Sequence, residues 1–370
     1  MKVSVIIPIY NVASYVGDCL LSVLNQTYRD IEVIIVDDKS EDDSMLIVKA
    51  LLKKEKSALT VKIVTHEKNR GLSAARNTGI EHSTGDYLYF LDSDDEITAD
   101  CIEKLLNGVK TERVDMVVGD YVVQGSKDFY PPLKLRTSLI EGNKKIVRMY
   151  MREKIYVMAW NKLVRKSFIT KNQLYFKEGL IHEDCLWSFQ CACKAEVLAI
   201  VKEVTYIYKV RGGSITSTSL FDKEFSAGMT NLQEMIRYAD SLSILKGQYV
   251  FSFIEEEKVR LGRKCLMQGD LDRMSELYTF MRSSPHAGHC KLLLWNFFRC
   301  RKLMRDAHYF LPLCIGREYY QNLPLYLKHK RQIKLRFYKW FMYILFSIAF
   351  RRDLSKAVLP KLNIPDAILT

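Results

Sequence analysis

The chain has 370 residues, of which 48% are hydrophobic and 27% are charged, as in ordinary folded proteins. This composition excludes an intrinsically disordered protein, and the length predicts two units, or one large domain with an extension. Nine cysteines run from Cys19 to Cys314 without recurrent paired spacing, and no histidine lies near Cys191 and Cys193 at zinc-ligand spacing. We therefore interpret them as free thiols in a reducing compartment rather than as disulfides or metal ligands.

The formal net charge of +13 is concentrated in the C-terminal part of the chain. Residues 1–220 hold 31 Lys and Arg against 29 Asp and Glu, whereas residues 221–370 hold 25 against 14. A nucleic-acid binder acting through the whole chain is therefore not indicated. The apolar run at the N-terminus is too short for a signal peptide and Pro8 interrupts it, so we expect a cytoplasmic protein that begins with a core strand.

In chain order, the first hundred residues alternate short apolar runs with helical patterns. Strands are predicted at VSVIIPIY, IEVIIVDD, VKIVTH and YLYFLDSDD, with helices between them over residues 13–26, 43–54 and 72–81. This alternation is typical of an α/β, Rossmann-like, mostly parallel sheet with helices on both faces. After about Phe221 the pattern becomes long helical stretches, so we divide the chain into a domain of residues 1–220 and a mainly helical, basic region of residues 221–370.

Polar clusters follow three of the predicted strands at the point where each strand ends. In parallel α/β sheets, ligands bind at this carboxyl edge of the strands. Consecutive aspartates repel one another unless a cation or an array of donors offsets their charge, and hard divalent cations prefer carboxylate oxygens. The last cluster therefore predicts a cation site, with a solvated acidic turn as its alternative. The clusters are Tyr10-Asn11, Asp37-Asp38 and Asp92-Ser93-Asp94-Asp95.

Four segments in this order, VSVIIPIYN, IEVIIVDD, NRGLSAARNTGI and GDYLYFLDSDD, resemble the family 2 glycosyltransferases with the GT-A fold. The resemblance is specific over about residues 3–100, and weaker matches continue to about residue 218. It implies an inverting transfer of a sugar from a nucleoside diphosphate, usually uridine diphosphate, to an acceptor hydroxyl, with Mn²⁺ or Mg²⁺ at the diphosphate. It also implies a nucleotide-binding half, residues 1–100, and an acceptor-side half, residues 101–220.

The resemblance assigns the donor side of the site by position. Asp38 would accept a charge-assisted hydrogen bond from the base, while Asp37 is a secondary candidate with a helix cap or turn as its alternative. Arg76 would contact phosphate or sugar oxygens, which suit a guanidinium, and a structural ion pair with the aspartate cluster is its alternative. Further donor contacts implied by the resemblance are Pro8, Ile9, Tyr10, Asn69 and Ser93. In the acidic cluster, Asp94 would hold the metal, and Asp92 would contact the donor and the metal.

Inverting transfer also needs a base that deprotonates the acceptor hydroxyl as it attacks the anomeric carbon. The segment GLIHEDCLWSFQCACKA resembles the family's acidic pair at the start of a helix. This resemblance makes Asp184 the predicted base and Glu183 a supporting group. The alternative is that both acids merely complement the helix N-terminus, and the two roles are compatible.

Two further segments each allow a functional and a structural interpretation. Trp160, in AWNKL, would stack on an acceptor sugar or simply belong to the core. The segment YKVRGGSIT resembles the one that closes over the diphosphate, so Arg211 and Ser214 would reach phosphate oxygens. A solvated Gly-rich turn is the alternative for that segment.

The C-terminal part carries a strongly basic stretch, because residues 291–361 hold 16 Lys and Arg against 3 Asp and Glu. Within it, FYKWFMYILFSIAF is apolar but too short to span a bilayer, which takes about 20 residues. Its basic flanks and aromatic residues favour a helix lying on an anionic membrane surface, at the cytoplasmic face. A core helix of a C-terminal bundle, or a contact in a homodimer, is the alternative.

The sequence therefore predicts a metal-dependent hexosyl- or N-acetylhexosaminyltransferase with a nucleotide-sugar donor. A saccharide or lipid-linked saccharide is the expected acceptor, in the synthesis of a surface polysaccharide or glycolipid. Nucleotidyl transfer is the enzymatic alternative, but it usually needs an early Gly-rich phosphate loop, which VIIPIYNVASY does not provide. A non-catalytic binder acting through the basic C-terminal region is the other alternative, and the catalytic aspartates disfavour it.

Overall fold

The computed structural model describes residues 1–55, 59–111, 113–125, 133, 137–210, 221–245, 247–268, 270, 272–273, 276–277 and 280. The chain divides into two compact units, Met1–Leu220 and Phe221–Thr370. Arg211, Ser214 and the basic stretch of residues 291–361 lie outside the described residues.

Strands and helices alternate over residues 3–90 of the first unit, as the sequence predicts. Its described strands are β1 Val3–Ile9, β2 Ile31–Asp37, β3 Thr60–Thr65, β4 Tyr87–Phe90, β5 Glu96–Ile97, β6 Met116–Gln124, β7 Leu139–Glu141, β8 Lys162–Arg165 and β9 Val197–Lys209. Its described helices are α1 Val16–Leu24, α2 Ser44–Glu55, α3 Leu72–His82, α4 Cys101–Asn107, α5 Asn143–Met151, α6 Lys166–Asn172 and α7 Glu183–Lys194.

All nine described strands belong to one mixed sheet, in the order β3-β2-β1-β4-β8-β6-β9-β5, with β7 paired to β9. The four predicted strands, β1 to β4, are parallel to one another, which confirms the expected α/β half. Beyond β4 the sheet is mixed, because β8 runs antiparallel to both β4 and β6 while β6 and β9 are parallel. The carboxyl ends of β1, β2 and β4 therefore meet at one edge of the sheet, where the polar clusters lie.

Strand β1 forms the centre of the parallel half, and every one of its residues is buried. Apart from Ser4 its residues are apolar, and most are β-branched, as expected for a strand covered on both faces. Pro8 is tolerated in this central strand because pairing with β4 ends at Ile6, so the missing N–H breaks no bond on that side.

Helix α3 lies unusually close to β1. A Cβ atom added at Gly79 would overlap the side chain of Ile6, so only glycine allows this approach. Small residues continue along the same helix, since Ala74 and Ala75 are also fully buried. The close packing holds the N-terminal half of α3, including Arg76, against the carboxyl edge of the sheet.

The second unit is helical over its described residues, with α8 at Phe221–Ser241 and α9 at Gln248–Gln268. The two helices pack closely, because a Cβ at Gly228 would lie 2.9 Å from the side chain of Leu261. An ion pair between Lys264 and Glu224 also joins them at 3.1 Å. Neither of these helices, nor any other helix in the described part of the chain, has the length and apolarity needed to cross a membrane.

Candidate active site

The acidic cluster forms a turn directly after β4. The amide of Leu91 donates to the carbonyl of Ile6 at 3.0 Å and continues the strand pairing, after which the amide of Asp95 donates to the carbonyl of Asp92 at 3.1 Å. Within this turn Ser93 and Asp95 are buried, whereas Asp92 and Asp94 are partly exposed. The turn therefore presents the two carboxylates that were predicted to face the ligand, and turns Asp95 inward.

Arg76 joins the acidic turn to the start of α7. Its Nη2 donates to Oδ1 of Asp92 at 2.7 Å, and its Nη1 donates to Oε1 of Glu183. The arginine is 2% exposed and its Cζ lies 5.2 Å from the ring centroid of Phe176. Burial alone would lower the pKa of Arg76, but the charges of Asp92 and Glu183 outweigh it and raise the pKa above its usual value. The structure therefore shows the ion pair that was the alternative role for Arg76.

Asp95 is held from the opposite side of the turn, by β9. The hydroxyl of Tyr206 donates to its carboxylate at 2.7 Å, and the amide of Lys209 donates at 2.8 Å. Burial, together with the charges of Asp94 and Asp92, raises the pKa of Asp95 to about 8. These contacts give Asp95 a structural role in supporting the turn, whereas the sequence placed it in the acidic cluster without a role of its own.

Asp38 organises the loop that leads into α3. Its two carboxylate oxygens accept hydrogen bonds from the amides of Arg70 at 2.8 Å and Gly71 at 2.7 Å. Its Oδ1 also lies 2.6 Å from Nδ1 of His66, whose Nε2 lies 2.9 Å from the hydroxyl of Thr78. The side chain of Asp38, the expected contact for the nucleoside base, is thus buried, and both of its carboxylate oxygens accept hydrogen bonds within the protein. His66 is a member of this network that sequence reasoning missed.

The remaining donor-side residues lie around the ends of β1 and β2. Ile9 is buried and accepts the amide hydrogen of Asp38 at 2.9 Å, while Tyr10 is 43% exposed just beyond the strand. Asp37 accepts from the amide of Ser40 at 2.9 Å, which is the turn role named as its alternative. Asn69 is exposed in the loop before α3. The exposed ring of Tyr10 at this edge is available for stacking on a planar ligand.

The predicted base lies at the start of α7, after His182 in the left-handed conformation (φ 58°). Asp184 is partly exposed at the surface of this helix, beside the buried Glu183. Burial of the carboxyl raises the pKa of Asp184, and the charges of Arg76 and Lys162 oppose this rise. Burial likewise raises the pKa of Glu183, against the charge of Arg76. A raised pKa makes such a carboxylate a stronger base than an exposed one, and the helix holds it in place.

The acceptor-side tryptophan belongs to the core. Trp160 is 3% exposed and stacks on Tyr206 with ring centroids 4.4 Å apart and planes 8° apart. It also stacks on Tyr208 at 5.6 Å. Of the two interpretations of Trp160, the structure supports the core residue and leaves no open face for a sugar.

Comparison with known proteins places this geometry in a family. The profile of Glycosyl transferase family 2 matches residues 4–173. An uncharacterized glycosyltransferase of Haemophilus influenzae is 31% identical over 239 residues, covering 55% of this chain and 92% of that protein. The chain belongs to glycosyl transferase family 2. GlyA, a glycosyltransferase of Streptococcus pneumoniae, is 30% identical over 226 residues, which cover 58% of this chain but only 31% of the length of GlyA.

A solved structure of the family confirms the predicted GT-A fold. The structure of S. aureus TarS 1–349 in complex with UDP-GlcNAc matches with a TM-score of 0.55, covering 95% of this chain and 92% of that one. The two chains are 18% identical, so the likeness concerns the fold. The protein is thus a GT-A member of family 2 whose acidic turn, Arg76 and acidic pair meet at one edge of the sheet.

A divalent cation fits the chemistry of this edge. No group of three or more His, Cys, Asp or Glu side chains in the described part of the chain is arranged to hold a metal ion alone. Mg²⁺ and similar ions at nucleotide sites need only one or two carboxylates, because substrate phosphates and water complete the coordination. Asp94 and Asp92, both partly exposed on one turn, match that requirement, whereas the buried Asp95 does not.

Sequence reasoning also missed Lys162, which is buried beside this site. It stands in the AWNKL segment as the first residue of β8 and is 2% exposed. Burial lowers the pKa of its ammonium group to about 7. The available signal was its place in AWNKL, a segment already singled out as a resemblance to the family.

Proposed function

We propose that this family 2 member is an inverting, metal-dependent glycosyltransferase that uses a nucleoside-diphosphate sugar, with uridine diphosphate as the expected nucleotide. One observation carries the proposal: Arg76 joins Asp92, on the donor side, directly to Glu183, the neighbour of the predicted base. The donor carboxylates and the base thus belong to one electrostatic cluster at the carboxyl edge of the sheet. The UDP-GlcNAc complex of TarS, which shares the fold, supports a UDP-sugar as the first donor to test.

On the donor side, the nucleoside lies at the ends of β1 and β2. Tyr10 offers an exposed ring to the base, while Asp38 holds the backbone of Arg70 and Gly71 in the loop before α3. Asp94 and Asp92 would hold Mn²⁺ or Mg²⁺, which stabilises the charge of the departing diphosphate when it is bound. Arg76 fixes the orientation of Asp92 and adds positive charge next to the phosphates.

On the acceptor side, Asp184 accepts the proton of the acceptor hydroxyl. The hydroxyl oxygen forms the new bond to the anomeric carbon as the bond from that carbon to the diphosphate oxygen breaks, so the electron pair leaves with the nucleotide. A single displacement of this kind inverts the anomeric centre. The raised pKa of Asp184, caused by burial, makes its carboxylate a stronger base than that of an exposed aspartate, as this role requires.

The finer parts of the proposal concern the substrates and the location of the enzyme. The transferred group is a hexosyl or N-acetylhexosaminyl unit, and the acceptor is a saccharide or lipid-linked saccharide of a surface polysaccharide or glycolipid. The basic stretch of residues 291–361, outside the described residues, supports a peripheral position on the cytoplasmic face of the membrane. Sedimentation of the full chain with phosphatidylglycerol vesicles but not with phosphatidylcholine vesicles would support that position, and equal sedimentation with both would contradict it.

The function itself is tested by nucleotide release from a panel of nucleotide sugars in the presence of Mn²⁺. The wild type is expected to turn over at least one donor, and Asp184→Asn to lose turnover by about 10²- to 10⁴-fold while still binding it. Asp100→Asn is the matched control, because Asp100 pairs with Lys104 on α4, outside the site, and should keep full turnover. If the wild type neither binds nor turns over any nucleotide sugar, the proposed function is wrong.

A further inference from the structure

Lys162 is a buried ammonium group that the proposed mechanism does not use. Its Nζ donates to the carbonyl of Met158 and lies 4.2 Å from the ring centroid of Tyr156. Taking an ammonium out of water costs several kcal/mol unless nearby charge compensates it. A carbonyl and an aromatic face provide partial compensation, so a nearby carboxylate is expected to stabilise the charged form.

The helix face that carries Asp184 packs toward Lys162. Ser188 and Cys191 follow Asp184 at i+4 and i+7 on α7, so the three residues share one face of the helix. Ser188 and Cys191 line a cavity of about 10 Å³ together with Lys162. The hydroxyl of Ser188 also donates to the carbonyl of Val157, which ties this face to the chain just before β8. The start of β8 therefore lies against the side of α7 that bears the base.

The charges around this interface act on both groups. Asp184 faces Arg76 from α3 and Lys162 from β8, which favour its ionised form, and Asp92 from the acidic turn, which disfavours it. Its neighbour Glu183 is also acidic. Lys162 in turn faces Asp184, which favours its charged form, and Arg76, which disfavours it. It also faces Cys191, whose thiol is uncharged because burial raises its pKa. Because burial raises the pKa of Asp184 and lowers that of Lys162, it brings the two pKa values closer together.

We propose that Lys162 is a positioning residue for Asp184, stabilising the ionised form of the base across the packed interface between β8 and α7. This inference rests on the proposed function, in which Asp184 accepts the acceptor proton. Arg76 also favours ionised Asp184, and more strongly than Lys162, while its guanidinium pairs with Asp92 and Glu183. Lys162 lies at the start of β8, against the face of α7 that Asp184 shares with Ser188 and Cys191.

The test is the pH profile of kcat for Lys162→Met, a neutral side chain of similar length. Without the ammonium, Asp184 holds its proton to a higher pH, so the acidic limb of the profile should move to higher pH. Turnover on that limb should fall on the order of tenfold and recover to near wild type on the alkaline side. Lys166→Met is the matched control, because the Nζ of Lys166 donates to the carbonyl of Ser83 instead, and its profile should not move.

A purely structural role for Lys162 predicts a different result. In that case Lys162→Met would lower kcat equally at every pH and leave the acidic limb in place, and this outcome would overturn the inference. If Asp184→Asn is inactive while the limb of Lys162→Met is unmoved, only this inference fails. If Asp184→Asn keeps full turnover, the proposed base is wrong, and the role of Lys162 fails with it.

A reciprocal measurement covers the case in which Lys162→Met does not fold. Coupling between two sites is reciprocal, so removing the charge of Asp184 must lower the pKa of Lys162. Nitrogen NMR of labelled lysine side chains in the wild type should show one Nζ that titrates near neutrality. That titration should move to lower pH in Asp184→Asn, and an unchanged titration would overturn the inference.

Discussion

Carboxylates at the two edges of the parallel sheet differ in their hydrogen-bond donors and in the direction in which their pKa is shifted. At the amino edge, Glu32 of β2 accepts hydrogen bonds from the hydroxyl of Ser4 and from the amide and hydroxyl of Thr84, and it pairs with Lys2 at 2.9 Å. Burial alone would raise the pKa of Glu32, but these donors outweigh it and lower the pKa to about 2. At the carboxyl edge, burial and neighbouring aspartates raise the pKa of Asp95 to about 8.

The difference separates a structural carboxylate from a cluster of carboxylates that we propose as part of the active site. Donors saturate Glu32, so its charge stabilises the fold and is not available to a ligand. Three aspartates crowd the other edge, where their mutual repulsion is costly until a cation or donor offsets it. Arg76 and Tyr206 offset part of this repulsion, and carboxylates whose pKa is shifted by burial and neighbouring charge are typical of functional sites.

The largest effect on stability is expected from removing the guanidinium group of Arg76 at the carboxyl edge. Arg76→Met leaves Glu183 buried without its partner and frees Asp92, so the free energy of unfolding should fall by about 3–5 kcal/mol. Urea denaturation measures this change. Arg70→Met is the matched control, because Arg70 forms an exposed pair with Glu178 and its loss should cost less than about 1 kcal/mol. Equal losses for the two variants would mean that Arg76 does not hold the edge together.

At the amino edge, Glu32→Gln should remove about 2 kcal/mol of stability at pH 7. The folded-state pKa is lowered, so the contribution is present above the unfolded value of about 4.5 and is lost as the pH falls toward 2. Denaturation of both proteins between pH 7 and pH 2.5 should show the difference shrinking on the acid side. Glu103→Gln, an exposed acid on α4, serves as the control and should show little difference at any pH. A constant difference across this range would argue against the lowered pKa.

A smaller effect is expected at the support of the acidic turn. Tyr206→Phe removes the hydroxyl that donates to Asp95, and should cost about 1–2 kcal/mol of stability. Without this support the acidic turn should be less well ordered, so we expect weaker Mn²⁺-dependent binding of the donor. Tyr156→Phe loses hydrogen bonds to two backbone carbonyls of the same sheet, away from the turn, and should lose stability without this loss of binding. Unchanged donor binding in Tyr206→Phe would remove Asp95 and Tyr206 from the support of the site.

The parallel half of the fold was predictable because its information is local. Apolar runs and helical spacing within residues 3–90 predict β1 to β4 and the helices between them, and the structure confirms all seven elements. The mixed half was less predictable, since β8 inserts between β4 and β6 through contacts far apart in the sequence.

The candidate site divides in the same way. The location of the acidic turn was predictable, because it directly follows an apolar strand in the sequence. The roles of Asp92, Asp94 and Asp184 stay predictions. The bond from Arg76 to Glu183 spans 107 residues, and that from Tyr206 to Asp95 spans 111, so no local pattern indicates either. For the same reason the sequence could not show that the carboxylate of Asp38 serves the loop before α3.

The central claim is that the carboxyl edge, and not the amino edge, binds a nucleotide through a divalent cation. Calorimetric titration of UDP with and without Mn²⁺, on wild type, Asp94→Asn and Glu32→Gln, tests it directly. We expect Mn²⁺ to strengthen UDP binding to the wild type and to Glu32→Gln, with at least about a tenfold loss of that affinity in Asp94→Asn. Equal Mn²⁺-dependent affinity in Asp94→Asn and the wild type would contradict the account.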